Sequence, residues 1–224
     1  MSTPMPDLPL PDVADHLARN PALALARDGA FGVHQFARLW RGEFVAQTAE
    51  VAAFAALAAR YPRPGPAGLF LDTARSVLSA REPLLAAAAA IGGSVTGPAS
   101  EPTPFGFAAF AGFISWLGIG AGPGAAALAL RNDLLLWCGV CAALAEAVGN
   151  TPPPAVTGYL AMYATPPVAL ISAAEEVARA AMAEGEDPST VLDASTRVEP
   201  VLTAFWSSVA DRPHEHEGKH HDVH

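Results

Sequence analysis

Proline and glycine fall in clusters along this chain, and the blocks between them repeat their apolar residues at helical spacing. That alternation constrains the fold more than any other feature. From Val33 to Arg60, Phe36, Leu39, Trp40, Phe44, Val51, Phe54 and Leu57 recur at intervals of three, four and seven, the period of one helical face. Tyr61-Pro62-Arg63-Pro64-Gly65-Pro66 ends this block. Asp12 is a candidate N-cap for a short first helix ending near Asn20-Pro21. Pro21 then suits the first turn of a second helix stopping at Asp28-Gly29. Further helices are expected over about 67–91, 105–118, 124–148, 155–164, 165–183 and 189–210. Pro83 should kink the first of these, because it removes a backbone donor. Leu71, Leu78 and Leu85 share one face of that helix. No alternating β-branched run reads as a strand, so the expected class is an all-α bundle of seven to nine helices.

The 224 residues suffice for one sizeable domain, and 51% are apolar. Only 16% are charged, against roughly 25% in an average soluble domain. Wide buried helix faces follow, and a homo-oligomeric interface is one way to cover them. The net charge of −9 and the lack of a basic stripe argue against nucleic acid, which is bound through Lys and Arg. The start of the chain lacks the basic and apolar regions of a secretory signal, so a cytoplasmic location is expected. The apolar run from Phe105 to Leu130 is long enough to span a bilayer. Gly118 to Gly124 breaks it, and no Lys or Arg cluster flanks it; a membrane role is not favoured. The expected organisation is a Pro-rich tail over residues 1–11, a helical domain over 12–211 and a His-rich tail over 212–224.

Three landmarks in the second half carry a family resemblance: Leu136-Trp137-Cys138-Gly139-Val140-Cys141, Gly158-Tyr159-Leu160-Ala161-Met162-Tyr163 and Ala204-Phe205-Trp206. With Asn20-Pro21-Ala22-Leu23, Asp28-Gly29, Phe44 and Gln47 upstream, their order resembles the TenA-like branch of the heme-oxygenase-like helical proteins, which includes thiaminase II. The resemblance implies a heme-oxygenase-like multi-helix bundle. It also implies a Cys nucleophile acting on a pyrimidine, helped by a Glu, an Asp and several Tyr. Carried across by position, Cys138 keeps the thiol and Tyr163 one phenol. Thr48 stands at the ring-binding Asp, Val51 and Ala142 at two Tyr, and Leu202 at the Glu four residues before the final Trp. The nearest acid on that helix is Glu199. Thr and Leu do not titrate and cannot transfer protons. The chain also resembles relatives of the pyrroloquinoline-quinone synthase and some iron oxidases. Yet the spacing of Glu and His that builds a di-iron site on bundle helices is missing: Glu82 is followed at i+3 by Leu85, and the residues three before His16 and His34 are Val13 and Phe31.

The leading expectation is therefore a TenA-like protein that binds a small apolar or aromatic heterocycle with weak or no catalysis. Trp116, Trp137, Tyr159, Tyr163 and Trp206 are its candidate pocket. An enzyme with relocated groups is the alternative, with Cys138, Glu199, Glu146 and Tyr163 as candidates. Cys138 and Cys141 lie inside an apolar helix, where a small buried pair is a simpler reading than a redox pair. A third alternative is metal handling or partner docking by the tail. His214, His216, His220, His221 and His224 could hold a divalent transition metal such as Ni, Cu or Zn.

Overall fold

A computed structural model describes residues 7–96 and 102–211. All regular structure there is helical: α1 (Val13–Arg19), α2 (Pro21–Arg27), α3 (Val33–Arg60), α4 (Pro64–Ala90), α5 (Phe105–Gly120), α6 (Pro123–Val148), α7 (Pro154–Met162), α8 (Val168–Ala183), α9 (Pro188–Thr196) and α10 (Val198–Ala210). The protein is an all-α multi-helix bundle. The five tail histidines, from His214 to His224, lie outside the described residues.

Local chemistry sets most boundaries. The Asp12 carboxylate accepts from Asp15 N at 2.9 Å, and the Asn20 side chain accepts from Ala22 N and Leu23 N. These satisfy amide donors that a helix start leaves open. Pro64 occupies the first turn of α4, where a missing N–H costs nothing, so α4 begins three residues before the expected start. The single last helix expected over 189–210 is two helices broken at Arg197. Pro200 explains the break: it cannot donate to the carbonyl of Thr196, and its ring collides with that group.

α3 lies against α4 on one side and α5 on the other, while α6 packs on α8 and α9 and is flanked by α2, α7 and α10. Trp40, Phe54, Phe70, Phe107, Phe205 and Trp206 are fully buried. Each such side chain contributes on the order of 2–3 kcal/mol of transfer free energy. α6 is long and apolar enough to cross a membrane by length and composition, and 67% of its most apolar stretch is buried in the bundle. Its start is capped by Glu186, whose carboxylate accepts from Gly124 N at 2.8 Å and Ala125 N at 2.9 Å, a favourable place for negative charge. Part of the 1–11 segment is held down: the buried Arg131 guanidinium donates to the carbonyls of Leu8 and Pro9.

Two close approaches fix helix positions. A Cβ on Gly106 would lie 1.9 Å from the Ala204 carbonyl oxygen, so only glycine lets α5 meet α10 there. One on Gly42 would lie 2.6 Å from the Phe107 ring. By contrast, the Leu71, Leu78 and Leu85 face of α4 points outward: these side chains are 47%, 57% and 45% exposed. Leu69, Phe70, Leu84 and Ala87 fill the buried side instead.

Candidate functional site

The cavity of interest lies between α3, α4, α6, the α7–α8 connection and α10, with a volume of about 150 Å³. α3 contributes Glu43, Glu50 and Phe54 at i, i+7 and i+11, and α6 contributes Leu130, Asp133, Leu134, Trp137 and Cys138. Both sets are stripes at helical spacing, so each helix turns one continuous face to the space. Phe110, Leu202 and Phe205 close one side. Val77 and Ala80 of α4 with Met162, Tyr163 and Pro167 close the other.

Three carboxyl groups converge on this mostly apolar space. Tyr159 donates its hydroxyl to Glu43 Oε2, and Gln47 Nε2 donates to that same oxygen at 3.3 Å and to the Tyr159 oxygen at 3.0 Å. Burial pushes the Glu43 carboxyl up to about 7, while the bonds from Tyr159 and Gln47 and the charge of Arg81 pull the other way. Asp133 is also pushed up to about 7, first by burial and then by the nearby Glu43 charge. Its Oδ1 is buried without a hydrogen-bond partner. Glu50 is raised well above the ordinary carboxylate range by burial and by Asp133 and Glu43, with Arg81 opposing. Desolvation and like charges disfavour ionisation together, so near neutral pH this cluster holds protons that exposed acids would have lost. Among the described residues no Lys, Arg or His side chain lines the cavity, and Arg81 acts on Glu43 and Glu50 from outside it.

The aromatic wall is layered. Trp137 faces the space and stacks on Trp206 behind it at 4.9 Å between centroids, with Phe205 at 5.6 Å and Tyr163 edge-on at 6.2 Å. Tyr159 lies 5.4 Å from Tyr163 between ring centroids. It packs against Trp40 at 5.0 Å.

The candidates named from sequence separate into groups. Trp137, Tyr163 and Cys138 line the cavity. Tyr159 and Trp206 stand directly behind it. Trp116 is not part of it: this side chain is on the outer side of α5, 38% exposed, stacked on Phe113 and under the Arg197 guanidinium. Nor is Glu199, which accepts from Arg19 Nη2 at 2.9 Å and lies 4.0 Å from His16 Nδ1 at the α1–α10 contact. Burial lowers the His16 pKa despite that neighbour. Glu146 is exposed on the last turns of α6.

Cys138 and Cys141 are buried free thiols. Burial and the Asp133 charge push Cys138 up to about 12, and Cys141 is also raised by burial and by Glu43. A nucleophilic cysteine needs a stabilised thiolate, and these surroundings do the reverse. Among the described residues no group of three His, Cys, Asp or Glu side chains could hold a metal ion. The three carboxyls thus share a cavity without forming a chelate.

The sequence reading missed Glu43, Glu50 and Asp133. Their signal was an acid inside an apolar stripe. Asp133 interrupts α6 between Leu130 and Leu134, and Glu43 and Glu50 lie on the helical face that also carries Phe54. A comparison of the sequence with protein-family profiles finds no match, and a comparison with curated proteins finds none either.

Proposed function

We propose that this protein binds a small, flat, nitrogen-bearing organic cation in the cavity between α3 and α6, on a bundle of the heme-oxygenase-like kind. The observation that carries the reading is the convergence of Glu43, Glu50 and Asp133 on an aromatic space that no basic side chain among the described residues lines. A buried carboxylate without a partner is costly, and a ligand that brings N–H donors and positive charge relieves that cost. An engineered apolar cavity of about 150 Å³ holds one benzene ring, so the volume here favours a single-ring ligand. Trp137 and Tyr163 offer π surface to such a cation. The spread of the carboxyls favours an amidinium or aminopyrimidinium over a metal ion, since donors on a ring reach several oxygens at once. An aromatic ligand was expected from the resemblance; the acids move the preference from apolar to basic.

Thiol-based hydrolysis of the thiaminase II kind finds little support, because Cys138 is held in its neutral form. A second reading has one specific observation behind it. Glu43 and Asp133 titrate at about 7, where a general acid or base works best at neutral pH. Proton transfer on the same bound heterocycle is therefore the catalytic alternative.

Calorimetric titration with benzamidine, 4-aminopyridine and neutral ring analogues tests the main reading. Cationic rings should bind, with protons released to buffer at pH 6 and affinity rising toward pH 8. Asp133→Asn should weaken them at least about tenfold, as expected for loss of one charge-assisted contact. Equal binding of neutral and cationic rings, or binding without proton release, rejects the reading. Turnover of a bound ring that Asp133→Asn abolishes would select the catalytic alternative.

A further inference from the structure

We propose that the outer face of α4 is an interface between two copies of this chain, packed antiparallel about Leu78. Leu71, Leu78 and Leu85 repeat every seven residues, and each is about half exposed on a helix whose opposite side is fully packed. Arg75 and Glu82 follow Leu71 and Leu78 by four residues, so the face carries leucine and charge in alternation along one seam. This is the pattern that two facing helices interlock.

Charge chooses the occupant. Arg75 and Glu82 are seven residues apart, about 10 Å along the helix axis, and cannot meet within one α4. Arg75 bonds its neighbour Asp72 Oδ1 at 2.6 Å, and both side chains remain largely exposed. Turning a second α4 through a two-fold axis at Leu78 sets Leu78 against Leu78 and Leu71 against Leu85. The same rotation brings Arg75 of each copy to within one position of Glu82 on the other. The face is therefore complementary to itself in shape and in sign, as a two-fold contact requires. A parallel pair would instead place Arg75 beside Arg75 and Glu82 beside Glu82. The inner side of α4 lines the cavity through Ser76, Val77 and Ala80, so the pairing sets two cavities back to back across the joined helices.

Sedimentation velocity over a range of micromolar concentrations tests this with the full chain. Wild type should be a dimer, and Leu78→Glu a monomer with unchanged helical circular dichroism. Arg75→Glu and Glu82→Arg, each alone, should weaken association at least about tenfold through like-charge contact. An equimolar mixture of the two should recover a heterodimer, because each mismatched charge then meets its complement. A monomeric wild type overturns the proposal. So does a dimer that survives Leu78→Glu, or a mixture that stays dissociated.

Discussion

Asp133→Asn should make the protein more stable, and more so as pH rises. In the folded chain Asp133 titrates at about 7, against an ordinary value of 3.8. A carboxyl whose pKa is raised by folding contributes nothing to the balance below the unfolded value, because both states hold the proton. Between 3.8 and about 7 the unfolded chain loses the proton while the folded chain keeps it, and stability falls with rising pH. Above about 7 both states are ionised and the loss is constant. At about 1.4 kcal/mol per pH unit, the full span comes to roughly 4 kcal/mol. Asn has nearly the same shape and no charge. The variant should match wild type near pH 4, pull ahead through the interval, and hold a plateau of roughly 2–4 kcal/mol at pH 8. The lower bound allows for sharing of protons with Glu43 and Glu50. Urea unfolding followed by tryptophan fluorescence at half-unit steps from pH 4 to 8.5 measures this directly. A difference that stays flat with pH would refute the account of a buried acid, and a variant less stable at pH 8 would refute the lack of a compensating cation. Such a gain matters for function, because a stability gain that accompanies lost binding marks a site kept at the expense of the fold.

Three other perturbations follow from the packing. Gly106→Ala puts a methyl group into the Ala204 carbonyl and should destabilise by at least about 2 kcal/mol; an unchanged urea midpoint would contradict the α5–α10 contact. Glu186→Ala removes both bonds to the start of α6 and should cost about 1 kcal/mol or more, with Glu186→Gln recovering part of it. The native thiols should react with an aromatic disulfide reagent at pH 8 far more slowly than in urea, because Cys138 is raised to about 12. Rapid labelling of one thiol in the native state would restore Cys138 as a nucleophile candidate.

The helices were legible because their ends are written in residues with strong local preferences. Asp12, Asn20-Pro21 and Asp28-Gly29 act within a turn of themselves, so no tertiary knowledge is needed to read them. Pro64 and Pro200 misled for opposite reasons. Proline in a first turn starts a helix, and one turn further on it breaks the helix before it. Leu71, Leu78 and Leu85 share a face, as their spacing says. The spacing does not tell which side of α4 is buried, because alanine packs well enough to fill the inner side. The cavity acids were hidden by a different effect. An acid in a helix usually marks the solvent side, and only the crossing of α3 and α6 turns Glu43, Glu50 and Asp133 to one space.

The positions that the resemblance suggests lie on α3, α6 and α10, which line the cavity, but the cavity acids stand at other positions. Thr48, where it suggests an acid, is exposed and bonds the Phe44 carbonyl. Leu202, where it suggests another, lines the cavity and brings no proton. Acids reach the same space from Glu43 and Glu50, which flank Gln47, and from Asp133 one turn before Trp137. The cavity therefore has proton-holding groups on its α3 and α6 walls and only hydrocarbon from Leu202 and Phe205 on its α10 wall. A ring lying against Trp137 would meet carboxyls from α3 and α6 and only hydrocarbon from α10. Its basic edge must then point away from α10, and its substituents toward Leu202 and Phe205 must be apolar. Cys138 shares the α6 wall with Asp133, so ionising that acid for ligand binding raises the thiol pKa further. Binding a cation through Asp133 and attack by a Cys138 thiolate thus make opposite demands on one helix face, and the three carboxyls favour the first.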